Sequence, residues 1–113
     1  MNFEDIKIRF DKLKEPPFYS VSPKQRGVII SLLDKACHSK ENRYQFAIAL
    51  GMLPHSKDWS AGEWFAVSQM VKIDKEPALG WHASEKNFES IVRTVLAKIG
   101  ANENQISMFE VIE

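Results

Sequence analysis

The side chains able to do covalent or metal chemistry are few and scattered. Three histidines, His38, His55 and His82, lie in separate connections, and no two share the i, i+3 or i, i+4 spacing that sets two imidazoles on one helix face. No metal centre is expected. Cys37 is the single cysteine, so no internal disulfide and no thiolate cage can form within the chain; beside an apolar stripe it reads as a small buried hydrophobe. The loop His55-Ser56-Lys57-Asp58-Trp59-Ser60 holds the residue types of a nucleophile and a base, yet helix capping already accounts for Asp58 and Ser60. There is no glycine-rich phosphate cradle and no Glu-x-x-His pair on a predicted helix, so neither cofactor nor catalytic activity is expected.

Binding chemistry has more to work with. Lys7, Arg9, Lys12, Lys14, Lys24 and Arg26 crowd the first part of the chain, with Phe18 and Tyr19 between the two groups, an arrangement that can contact phosphates and stack a base. A solvated charged face explains the same spacing. Residues 1–57 carry ten basic and six acidic side chains and residues 58–113 carry five and nine, so a neutral total hides halves of +4 and −4. Such a polarity suits nucleic acid on one face or a second copy of the chain. Trp59, Trp64, Phe65 and Trp81 form a dense aromatic group whose first use is core packing; Leu79 and Trp81, on a loop, are the pair expected to face a partner.

These side chains must be positioned by helices. Phe3, Ile6, Phe10 and Leu13 fit one helical face, although Ile6, Ile8 and Phe10 also fit strand alternation; the helix is favoured and must stop before Pro16 and Pro17. Ser22, Pro23 and Gln25 spell a capping box with proline at the first helical position, opening a helix to about Cys37 that buries Ile29, Leu32, Leu33 and Ala36, widened by Val28 and Ile30. Its apolar breadth suggests a central element. Ser39 caps a third helix with Phe46, Ala47, Leu50 and Leu53 inward, halted by Gly51 or Pro54. Following the second helix, it raises the idea of a helix-turn-helix with Asn42, Arg43 and Gln45 as readers.

A second capping box, Ser60 to Glu63, has Trp59 and Trp64 at the positions of a hydrophobic staple and predicts a fourth helix burying Trp64, Val67, Ser68 and Val71. Lys72 to His82 reads as a loop broken by Pro77 and Gly80. Ser84 then caps a helix whose Phe88, Ile91, Val92, Val95 and Ile99 follow i, i+3, i+4, i+7, with Gly100 placed to end it. The expectation is an all-α protein: a small bundle of four to five helices in residues 1–100, then an extended C-terminal tail in 101–113.

With 113 residues, 44% hydrophobic and 27% charged, the chain suits one folded domain rather than a disordered or collagen-like one. No run approaches the roughly 20 apolar residues of a membrane span, and the start lacks the basic and apolar regions of a signal peptide. A cytoplasmic protein without membrane attachment is expected.

The tail changes character. Ala-Asn-Glu-Asn at 101–104 reads as a polar tether, and Gln105, Ile106, Ser107, Met108 and Phe109 follow close to the end of the sequence. These five residues resemble the pentapeptide Gln-Leu-(Ser/Asp)-Leu-Phe by which many bacterial replication and repair proteins bind the DNA sliding clamp. Gln105, Ser107 and Phe109 match, while Ile106 and Met108 replace the two leucines conservatively. The resemblance implies that Gln105 hydrogen-bonds at a small subsite, that Met108 and Phe109 fill the clamp's apolar pocket, and that Ile106 packs alongside. Methionine in that place keeps the volume and adds flexibility, so somewhat weaker binding is implied. It covers five residues and implies a non-enzymatic replication or repair accessory, or a phage or plasmid factor. The alternatives are that residues 105–112 form an edge strand or a final packed segment, with Ile106, Met108 and Phe109 completing the core, and that the tail swaps into a neighbouring copy to make a homodimer.

Overall fold

The computed structural model describes residues 2–71 and 85–99. Five helices make up an all-α bundle: α1 (Phe3–Leu13), α2 (Pro23–Cys37), α3 (Lys40–Ala49), α4 (Ala61–Val71) and α5 (Glu85–Lys98), with one 3₁₀ turn at Ser56–Asp58; the described residues contain no strand. The tail 101–113, the loop with Leu79 and Trp81, and the expected cap at Ser84 and stop at Gly100 lie outside the described residues.

Burial decides the ambiguous first segment. Ile6, Phe10 and Leu13 are buried, whereas Ile8, which strand alternation would place beside Ile6 and Phe10, is 64% exposed. Asn2 caps α1 by accepting from the Asp5 backbone N–H at 2.9 Å. The capping box of α2 is complete, since Gln25 N–H donates to Ser22 Oγ and Ser22 N–H donates to Gln25 Oε1, each at 3.2 Å. The inner stripe of α2 is narrower than expected: Ile29, Leu33 and Cys37 are buried, Ile30, Leu32 and Ala36 pack partly, and Val28, off the stripe by one helical step, stays exposed. His38 ends the helix in the left-handed region at φ 70°.

Ser39 caps α3 by accepting from Asn42 N–H at 3.0 Å. Its far end is a Schellman motif: Met52 N–H donates to Ala47 O at 2.8 Å and Gly51 N–H to Ile48 O at 3.0 Å, with Gly51 at φ 89°. That turn takes the chain off the helix axis before Leu53, which is exposed rather than inward. The second capping box holds as well, with Ser60 N–H donating to Glu63 Oε1 at 2.8 Å and Glu63 N–H to Ser60 Oγ at 3.1 Å. The staple is in place, the Trp59 and Trp64 ring centroids being 4.8 Å apart.

Helix α2 touches α3, α4 and α5, and α5 touches all four others, so this pair forms the middle of the bundle, with α3 to one side and α1 and α4 to the other. The most enclosed helix is nevertheless α4, buried at nine of its eleven residues instead of along one stripe. Its sequence carries one charge, Glu63, and its polar groups are satisfied: Ser68 Oγ donates to Phe65 O at 2.6 Å and Gln69 Nε2 to Tyr19 Oη at 3.1 Å. In α5, Phe88, Ile91, Val92 and Val95 are inward as the spacing predicts, but Leu96 is buried in place of Ile99, which is exposed.

Candidate functional site

Of the six basic residues from Lys7 to Arg26, three are engaged in two small groups. On α1 the Lys7 ammonium lies 2.7 Å and the Lys14 ammonium 3.1 Å from the Asp11 carboxylate. Partial burial alone would push that carboxyl up; the hydrogen bonds and charges of the two lysines outweigh it and hold Asp11 below its usual range. Arg26 donates from Nε to Val21 O at 3.1 Å and lays its guanidinium 4.9 Å from the Trp64 ring centre, bridging α2 and α4. Lys12 and Lys24 are exposed, and Phe18 and Tyr19 are turned to Phe65 of α4, at 6.2 and 4.8 Å between ring centres.

The helix-turn-helix reading is corrected by burial. Asn42 and Arg43, two of its three proposed readers, are 1% and 6% exposed, so neither can lie along a base edge. Asn42 Nδ2 donates to Cys37 O at 2.9 Å, satisfying a carbonyl at the end of α2, and Arg43 Nε meets Asp34 Oδ1 at 2.5 Å, tying α3 to α2. Both are positioning contacts between helices. Cys37 is buried within the same joint, and its thiol is pushed up to about 12 by burial, then by the Asp34 charge, with Arg43 opposing. A thiol so held is neutral and unreactive at physiological pH.

The aromatic group divides. Trp59, Trp64 and Phe65 are core residues, and Trp59 Nε1 donates to Leu53 O at 2.8 Å; Trp81 lies outside the described residues. In the polar loop Ser60 is spent on its cap, and the His55 ring meets the edge or face of Tyr44 with centroids 4.8 Å apart at 68°. That contact folds the loop back over α3. It produces a recess of about 210 Å³ lined by Lys40, Arg43, Tyr44, His55, Ser56 and Lys57. Sequence spacing does place Lys40, Arg43 and Tyr44 on one face of α3, at i, i+3 and i+4, but their joining to His55-Ser56-Lys57 depends on the turn at Gly51 and the anchoring of Trp59.

Among the described residues no group of three or more His, Cys, Asp or Glu side chains is arranged to hold a metal ion, and no helix is long and apolar enough to cross a membrane. Gln105, Ile106, Ser107, Met108 and Phe109 lie outside the described residues. Compared with protein-family models, with curated proteins and with solved structures, the chain matches none.

Proposed function

We propose that this protein is a non-enzymatic accessory of DNA replication or repair, or of a phage or plasmid, that attaches to the bacterial sliding clamp through Gln105–Phe109. The single observation that carries the reading is the pentapeptide itself, Gln-Ile-Ser-Met-Phe, following a polar tether. Peptide docking would then supply affinity through the pocket-filling pair Met108 and Phe109, while a short tether keeps the ordering cost low. The helical body would carry whatever is recruited or excluded.

Binding of the purified chain to a bacterial sliding clamp, at low and at high salt and beside a chain truncated after Asn104, tests the proposal. Salt-tolerant binding that disappears on truncation is expected, since a mostly apolar contact does not release counterions. Phe109→Ala should abolish clamp binding with an unchanged thermal midpoint. Retained binding in the truncated chain, or loss of binding as salt rises, would transfer the function to the basic first half, where Lys12 and Lys24 are exposed.

A further inference from the structure

The recess between α3 and the 3₁₀ turn has a one-sided chemistry. Four of its six lining residues are basic, the other two carry hydroxyls, and none is a carboxylate. Every lining side chain can donate a hydrogen bond. Arg43 is already matched by Asp34, which lies behind the wall and not in it, so Lys40 and Lys57 supply the excess positive charge. The carboxylates next to them in sequence, Glu41 and Asp58, are exposed and do not line the recess.

Two comparisons within the molecule sharpen this. Lys7 and Lys14 of α1 converge as closely, but on Asp11, which neutralises them. A smaller recess of about 90 Å³ between α2 and α5 has Lys35, His38 and Arg93 in its lining, but Glu89 as well. Only the α3 recess, among these three basic clusters, gathers cations and donors with no acid in the lining. A tetrahedral, multiply charged oxyanion takes donors from all sides, whereas the acceptor directions of a carboxylate lie near one plane. At about 210 Å³ the space falls below the several hundred Å³ of a pocket that engulfs a drug-sized molecule, so it suits a charged end group whose carrier stays outside.

We propose that this recess binds a phosphoryl group, with Lys40 and Lys57 as its cationic arms, Tyr44, His55 and Ser56 as further hydrogen-bond donors and Arg43 as the anchored wall. The fixed elements are the Arg43–Asp34 pair and the Tyr44–His55 ring contact; the two lysines are exposed and free to close on the ligand. The site uses no residue of the tail, so it stands or falls apart from clamp binding.

The test uses the full chain and inorganic phosphate, added at constant ionic strength and followed by amide chemical shifts. Saturable shifts confined to residues 40–44 and 55–57 are expected. Lys40→Ala combined with Lys57→Ala, both at exposed positions, should weaken binding about tenfold with an unchanged circular dichroism spectrum, while Lys98→Ala, at an exposed position of α5, leaves it alone. A second arm compares adenosine monophosphate with a single-stranded oligothymidylate bearing or lacking a 5′-phosphate. Tighter binding of the 5′-phosphorylated strand than of the nucleotide assigns the phosphoryl group to a nucleic-acid end, and equal binding assigns it to a small phosphorylated compound. Shifts that spread over all lysines without saturating, or a double variant at Lys40 and Lys57 that binds phosphate as the parent does, would overturn the proposal.

Discussion

Helices α2 and α4 start with the same local chemistry and end in opposite surroundings. Each opens on a serine whose side chain takes the N–H of the third helical residue, and each has that residue's side chain reaching back to the serine N–H. Beyond the first turn they part. Along α2 one stripe is buried and Lys24, Gly27, Val28, Ser31 and Lys35 meet solvent, whereas in α4 everything from Trp64 to Val71 is enclosed. A capping box therefore says where a helix begins and nothing about how many neighbours will cover it. Enclosure of α4 comes from α1, α2, α5 and the Phe18–Tyr19 segment, all distant in sequence from its cap.

Each helix contains one glycine, and these two residues give the sharpest way to break the contrast. A Cβ added to Gly62 would collide with the Lys14 carbonyl oxygen, and would lie 3.0 Å from the Lys14 carbonyl carbon and 3.2 Å from the Phe18 ring. The obstacle is α1 backbone, which cannot rotate away. Gly62→Ala should cost about 3 kcal/mol in urea unfolding despite the better helix propensity of alanine.

Next in size is an alkaline effect at the end of α2. The folded-state Cys37 thiol, held up to about 12 against an ordinary value of 9.0, stays protonated after an unfolded chain would have lost its proton. Its stabilising contribution is therefore complete below pH 9 and lost as pH rises toward 12, at up to about 1.4 kcal/mol per pH unit. Unfolding curves across that range should fall more steeply for the parent than for Cys37→Ala, and a thiol reagent at pH 8 should label Cys37 only after denaturant is added. A parent and variant with parallel pH profiles would show the thiol to be more accessible than its burial indicates.

The caps should behave alike where the helix bodies do not. Ser22→Ala and Ser60→Ala are each expected to cost about 1 kcal/mol, because each frees a first-turn N–H without touching the core. A markedly larger loss at Ser60 would mean that the enclosed helix depends on its cap more than the exposed one does. Smallest, and opposite in sign, is Gly27→Ala. No atom lies within 4 Å of the added methyl, so removing glycine's unfolded-state freedom should stabilise the protein by about 0.5–1 kcal/mol.

Much of this fold was legible before any coordinates. The starts of α2, α3 and α4 follow from Ser22, Ser39 and Ser60, since a cap is a contact over three residues and depends on little else, whereas the Asn2 cap of α1 was not singled out in the sequence. The stop at Gly51 was one of the two the sequence offered, Pro54 being the other. What failed to be legible involved neighbours remote in the chain: the exposure of Val28 and Leu53, the full enclosure of α4, and the use of Asn42 and Arg43 as struts rather than readers. The α3 recess belongs with these, because its two halves are joined only after Gly51 turns the chain and Trp59 is seated.

Sequence by itself determined an all-α chain, the starts of the three serine-capped helices α2, α3 and α4 and the inner faces of most, and it holds the pentapeptide Gln105–Phe109 on which the clamp proposal rests. Tertiary structure alone decided which helix is enclosed, which charges are matched and which are left to gather around an open recess. The physical reason is range. Caps and amphipathic periods are fixed by hydrogen bonds and side-chain spacing within a turn or two, while burial and electrostatic pairing depend on which distant surfaces meet.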